Sequence, residues 1–229
     1  MSVSENWSRL RARVEAAAER AGRRPDEVTV VAVSKTFSAN AVREAHAAGL
    51  RVFGENYVQE ALGKMAELPR DLDWHFIGHL QSNKARHIIG KFSLVHSVDS
   101  IHLARELDRR AEERGLTQAI LLQVNIADEE TKSGFEPEQV LDGAAAIAEL
   151  HHLQPRGLMT IGPLTERPEE VRWVFAELRR LRDQVSARFP SLPWTELSMG
   201  MTGDFEVAIE EGATLIRVGR AIFGDRPSR

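Results

Sequence analysis

The chain has 229 residues, 42% of them hydrophobic and 28% charged, a globular balance with ample apolar material for a core. Its formal charge of −4 excludes a general electrostatic pull toward nucleic acid or anionic membranes. With no cysteine, disulfides and thiolate metal sites are excluded too, which accords with a reducing compartment.

In chain order, the first segment is too charged for a signal peptide, and no stretch approaches the ~18 uninterrupted apolar residues of a membrane span. A soluble, cytoplasmic protein is expected. Trp7, Leu10, Val14, Ala17 and Ala21 recur at helical spacing, and Gly22 can end that helix. Strand-like runs follow at 28–35 (VTVVAVSK), 51–56 (RVFGEN), 74–78 (WHFIG) and 93–98 (SLVHSV). They continue at 119–125 (AILLQVN), 155–162 (PRGLMTIG), 194–200 (WTELSMG) and 214–219 (TLIRVG). Seven helical segments fall between them. The clearest follows Pro168, with Val171, Val174, Leu178, Leu181 and Val185 at spacings of three and four.

Short apolar strands joined by amphipathic helices imply parallel pairing with both sheet faces covered. Eight such units at roughly 29 residues each suit a single TIM-type (β/α)8 barrel. An open doubly wound sheet is the alternative, since strand order is not written in one sequence. No linker or repeat is evident, so one domain is expected: an N-terminal helix over 1–22 and a barrel over 28–224. The first helix is then an extra element or the outer-ring cover of the last strand.

In such barrels chemistry sits at the C-terminal ends of the strands. Lys35, Asn56, His79, Asn125, the run Ser198 to Thr202, and Arg217 with Gly219 all fall there. Any one of them has a bland reading as a strand end turning to water; together they suggest a site. The stretches SMGMTGDFEVAIEEGA and VGRAIFG follow the seventh and eighth strands. Barrels frequently bind phosphate at that place through backbone N–H groups of glycine-rich turns; turns that merely close the barrel are the competing explanation. A lysine facing a phosphate site suggests a Schiff base, provided burial or a nearby cation such as Arg217 favours the free amine. A phosphorylated sugar aldehyde and pyridoxal 5′-phosphate both fit.

The motifs VAVSKTF, FGENYVQE, WHFIGHLQSNK, LLQVNIADEETKSGF, GLMTIGP, LSMGMTGDFEVAI and IRVGRAIFG resemble those of the pyridoxal phosphate homeostasis protein family, in order from about residue 28 to residue 224. The resemblance implies a barrel similar to the N-terminal domain of alanine racemase. It also implies covalent binding of pyridoxal 5′-phosphate, and cofactor homeostasis without dedicated turnover. Lys35 would carry the cofactor as an aldimine. Ser198, Met199, Gly200 and Thr202 would form a phosphate cup with Gly219 and Arg220. Arg217 would face the pyridine nitrogen, Asn56 and His79 would lie near the ring, and Met159 would pack on a ring face or sit in the core.

Two positions depart from the common family pattern. Thr202 stands where Ser is frequent, and Arg220 stands where a small hydroxyl is frequent. The arginine either bonds the phosphate or swings to solvent. An always-charged Arg217 disfavours a second positive charge on the ring, so carbanion chemistry should be poor. Alanine racemase has a further β domain that supplies a catalytic tyrosine; no such domain is expected here, where Tyr57 is the one tyrosine. The expected partners are the cofactor and apo-enzymes that receive it, with the chain a monomer. A racemase-like enzyme or a Schiff-base aldolase on the same lysine is the runner-up; an aldolase needs a further lysine or acid beside Lys35 that the sequence does not place.

Other features have plainer readings. His75 and His79, four apart on one strand face with no adjacent carboxylate, make a poor metal site. The basic stretch from Gln81 to Lys91, including Lys84, reads as a solvated helix face rather than a nucleic-acid patch. His151 and His152 read as a polar loop. Lys132, in the polar stretch 127–137, matches a family lysine but reads as an exposed loop residue.

Overall fold

The structure, a computed structural model, describes residues 2–129 and 133–225. Eight parallel strands close into a barrel in sequence order: β1 (Thr29–Val33), β2 (Val52–Glu55), β3 (Asp73–Phe76), β4 (Leu94–Val98), β5 (Gln118–Gln123), β6 (Leu153–Met159), β7 (Glu196–Ser198) and β8 (Leu215–Val218). Closure is made by β1 against β8, with Val31 opposite Arg217 and Ala32 opposite Val218. The open doubly wound alternative is thereby set aside.

Helices α1 (Val3–Arg20), α2 (Ala39–Ala47), α3 (Val58–Glu67), α4 (Ile101–Glu112), α5 (Val140–Ala148), α6 (Arg172–Arg188), α7 (Phe205–Glu210) and α8 (Arg220–Phe223) surround the barrel. The expected periodicity of α6 is realised: Val174, Leu178, Leu181 and Val185 are all buried. The connection from β3 to β4 is instead a 3-10 segment, Ser82–His87. Ser and Asn at its start compete for backbone hydrogen bonds and favour turns over an α-helix. The basic Lys84 and Arg86 are exposed there, as a solvated face requires.

The first helix takes the outer-ring place beside the last strand. Ser2 and Glu5 form a reciprocal capping box that starts it. Asn6 Nδ2 donates to the Ile222 carbonyl, and Arg13 makes a two-pronged contact with Glu206 of α7. Just past the helix, Arg23 donates to the carbonyls of Ile209 and Ala213 at 2.9 Å each.

Two apolar layers result from strand alternation. Outward residues such as Phe53 and Phe76 join the layer under the helices, whereas Val31, Leu94, Leu121, Met159 and Leu215 fill the barrel interior. Among the described residues no helix is long and apolar enough to cross a membrane.

Candidate functional site

The same alternation delivers polar groups to the barrel mouth. In β1, Val31 lies in the inner cluster, and Val33 and Lys35 follow at two-residue spacing into a cavity of about 520 Å3. Asn56 after β2, Ile77 after β3, Ile161 after β6, Arg217 on β8 and Gly219 just past it line the same cavity. Its remaining wall comes from Pro163 to Thr165, from Met201 to Asp204, and from Arg220. This size is typical of small-molecule sites.

Lys35 is half-buried, and Thr36 beside it holds φ at 70°, a left-handed conformation that is costly for a β-branched residue. The Oδ1 of Asn56 is buried without a hydrogen-bond partner in the chain. A buried acceptor left in this state signals a missing partner. Gly78 allows this approach, since a Cβ there would collide with the Asn56 carbonyl.

Arg217 is buried against the cavity floor. It donates from Nη1 to Ser198 Oγ at 2.6 Å and from Nη2 to the Thr160 carbonyl at 2.8 Å. Burial pulls its pKa down to about 10, opposed by the charge of Asp204, so it stays cationic at neutral pH. Beneath it runs a buried polar chain through the barrel interior. Ser198 Oγ lies 2.8 Å from His96 Nδ1, His96 Nε2 lies 3.0 Å from His75 Nδ1, and His75 Nε2 lies 3.6 Å from Asp73 Oδ2.

Burial drives the His96 pKa well below 6.5, and the charges of His75 and Arg217 act in the same direction. The neutral ring therefore carries one N–H. Because Arg217 donates to Ser198 Oγ, the serine proton goes to His96 Nδ1, and the His96 Nε2–H goes to His75. All donors then point away from the guanidinium.

This arrangement predicts acid sensitivity. A folded pKa below the unfolded value means that the unfolded chain binds the extra proton between the two values. The stability contribution of His96 is thus complete above about pH 6.5 and declines as pH falls toward the native value, by at most about 1.4 kcal/mol per unit. Glu55 and Asp204, whose pKa values burial raises, carry the opposite sign, because their protonation favours the folded state. A His96→Gln variant retains both. Urea unfolding at pH 7 and pH 5 should therefore show a larger loss for the wild type than for His96→Gln; equal losses would mean that His96 does not titrate.

The glycine-rich turn after β7 meets the cavity further along than the sequence suggests. Ser198 is occupied by Arg217 and His96, and Met199 is buried with its N–H bonded to the Leu215 carbonyl. Gly200 holds φ at 90°, and a Cβ there would meet the Ala208 Cβ at 2.6 Å; its carbonyl accepts from Arg217 N. These three residues set the turn from below, and the cavity wall begins at Met201. Asp204 Oδ1 accepts from Met201 N at 2.5 Å and pins the turn, while among the described residues no backbone carbonyl accepts from the N–H of Thr202 or Gly203. Arg220 is exposed at the rim of the same cavity.

Other expected residues fall elsewhere. Met159 is fully buried in the inner cluster, so its place is core packing and not the cavity wall. His79 lies beyond the end of β3, exposed, 3.2 Å from Asp99, and lines a separate groove with Tyr57 and Lys84 that shares Asn56. His75 and His79 therefore do not share a strand face, and each has a carboxylate nearby, contrary to expectation. Even so, among the described residues no cluster of three or more metal-ligating side chains occurs. Asn125 is buried two residues past the end of β5 and does not line the cavity. Lys132 lies outside the described residues.

Sequence reasoning missed the β6 loop, Ile161 to Thr165, although its Gly162-Pro163 pair marks a turn. It also missed a buried ionic cluster behind Lys35. Lys64 Nζ donates to Glu55 Oε1, Glu60 Oε1 and the Ser34 carbonyl at 2.6–2.7 Å. Neither Lys64 nor Glu55 lines the cavity.

These features define a class: a (β/α)8 barrel with a lysine at its mouth, above a buried arginine and beside a turn rich in N–H donors. The family model for the alanine racemase N-terminal domain matches residues 6–227. The chain belongs to that family and, within it, to the pyridoxal phosphate homeostasis proteins. The pyridoxal phosphate homeostasis protein of Aquifex aeolicus is 45% identical over 227 residues, covering 99% of both chains. That of Pseudomonas aeruginosa is 47% identical over 226 residues, covering 98% of this chain and 96% of its own. PipY of Synechococcus elongatus, solved without PLP, is 43% identical with a TM-score of 0.89, covering 97% of this chain and 100% of its own. The PipY structure with PLP bound is 42% identical with a TM-score of 0.86 and the same coverage.

Proposed function

We infer that this protein binds pyridoxal 5′-phosphate covalently through Lys35 and serves in homeostasis of that cofactor, as a cytoplasmic monomer of one barrel domain without a dedicated substrate. The observation that carries this reading is the Lys35 side chain on the wall of a cavity of about 520 Å3 that the Met201–Asp204 turn also lines. The residues fit the group. Lys35 offers an amine, Asn56 Oδ1 is a buried acceptor lacking a partner, and Thr202, Gly203 and Arg220 offer donors for a phosphate. Relatives with the homeostasis name and the PLP-bound PipY support the assignment.

When bound, the cofactor supplies an aldehyde for reversible attachment and a ring able to act as an electron sink. The chain's own residues favour the first over the second. Arg217, held in place by Ser198 and Thr160 and cationic at neutral pH, disfavours a proton on a ring nitrogen beside it. Lys64 and Glu55, the groups an aldolase mechanism would want beside Lys35, are turned outward behind β1 and bonded to one another. Holding and release to apo-enzymes is the function this chemistry suits.

Incubating the purified protein with pyridoxal 5′-phosphate should produce a yellow species. Borohydride trapping and peptide mass analysis should place the label on Lys35. An unlabelled protein, or a label on another lysine, overturns the assignment.

A further inference from the structure

The backbone on both sides of Lys35 is gripped from outside the barrel by α3. Lys64, buried in that helix, donates to the Ser34 carbonyl at 2.7 Å, on the residue before Lys35. Glu60, one turn earlier in α3, accepts from Thr36 N at 2.6 Å, on the residue after it. The two grips are joined, because Lys64 Nζ donates to Glu60 Oε1 at 2.7 Å. Glu55 completes the cluster, accepting from Lys64 at 2.6 Å and from Ser34 Oγ at 2.7 Å.

We propose that the Glu60–Lys64 pair is a positioning device for Lys35, clamping the Ser34 carbonyl and the Thr36 amide so that the lysine side chain enters the cavity in one direction. Three observations converge on a positioning role. All three Lys64 donors are engaged, two of them by carboxylates, so its amine is a structural cation and not a second nucleophile. Apolar residues of similar volume usually stabilise a core as well as a buried ion pair does, so the pair needs a reason beyond stability. Thr36 at φ 70° is a conformation that persists only where its surroundings over-determine it, and Glu60 is the group that holds its amide. Because α3 starts two residues after Asn56, a single β2–α3 unit sets both the orphan acceptor in the cavity and the clamp behind the lysine.

The proposal rests on Lys35 being the binding lysine, and its test separates the two claims. Glu60 is partly exposed, so Glu60→Ala can be made while the Lys64–Glu55 pair remains; Glu60→Gln keeps an oxygen acceptor for Thr36 without the charge. In the cofactor-free protein, amide exchange at Thr36 should accelerate at least tenfold in Glu60→Ala. The rate of Lys35 modification by trinitrobenzenesulfonate, a phosphate-free amine reagent, should change several-fold. Affinity for pyridoxal 5′-phosphate should fall about tenfold, with the urea midpoint little changed. Glu60→Gln should return all three readings to within about twofold of wild type. A Glu60→Ala protein that exchanges Thr36 faster yet reacts at Lys35 as wild type does overturns the proposal, as does a Glu60→Gln protein that behaves like Glu60→Ala. If wild type binds no pyridoxal 5′-phosphate, the functional reading fails, and the exchange and modification rates still judge the clamp. Should Glu60→Ala fold poorly, Glu60→Met keeps the length of the side chain without an acceptor and takes its place.

Discussion

Replacing Lys35 with alanine is expected to abolish the borohydride-stable label completely while leaving the barrel folded. Lys35 is half-buried at the mouth and belongs to neither apolar layer, so truncation removes little packing. A stability change within about 1 kcal/mol is expected, as for surface substitutions generally. On the proposed reading, binding should not vanish with the label, because Thr202, Gly203 and Arg220 keep the donors they offer to a phosphate. The remaining affinity should be lower on the order of a hundredfold, about 2.8 kcal/mol. Equilibrium dialysis beside peptide mass analysis measures both quantities. In cells, a Lys35→Ala chain that maintains cofactor levels as well as wild type would show that covalent attachment is not the function. Lys64 cannot substitute, since its amine is held by three acceptors outside the cavity. A label that moves to Lys64 would contradict that geometry.

How much of this site the sequence carries depends on whether the signal is local. The alternation that puts Val31, Val33 and Lys35 on one strand face is local, but the run is apolar on both faces, so only closure of the barrel makes that face the inner one. The barrel is also largely legible, because short buried strands alternate with amphipathic helices. The turn after β7 is legible as a glycine-rich segment, but its register against the cavity is not. Whether Ser198 or Thr202 meets a ligand depends on Arg217 and His96 claiming the Ser198 hydroxyl, and these lie on β8 and β4. The same holds for the clamp. Glu60 and Lys64 read as an ordinary i,i+4 pair on a helix surface, and only packing of α3 against the end of β1 turns them inward onto the Lys35 backbone. His75 and His96 are silent for the same reason. A histidine in a strand does not announce that it meets a second histidine on the neighbouring strand.

Replacing Arg217 with methionine is expected to alter stability, acid sensitivity and chemistry together. The Ser198 hydroxyl and the Thr160 carbonyl each lose a charged donor in a buried place. Leaving such acceptors without partners costs about 1–3 kcal/mol each, offset in part because a guanidinium no longer has to be desolvated. A net loss of about 1–3 kcal/mol is expected from urea unfolding at pH 7. One of the charges that depress the His96 pKa is also gone, so His96 should titrate closer to 6.5 and the loss between pH 7 and pH 5 should shrink. The chemical consequence is the sharper one. With the cation removed, nothing on β8 opposes a proton on a ring nitrogen at that position, and the bound ring becomes a stronger electron sink. Exchange of the α-proton of an added amino acid with solvent deuterium should then rise above the wild-type rate, by tenfold or more, even if the cofactor is held less tightly. A folded, cofactor-loaded Arg217→Met protein as inert as wild type would mean that Arg217 is not what keeps this barrel from turning over substrates, and the reason would have to be sought in the cavity walls instead.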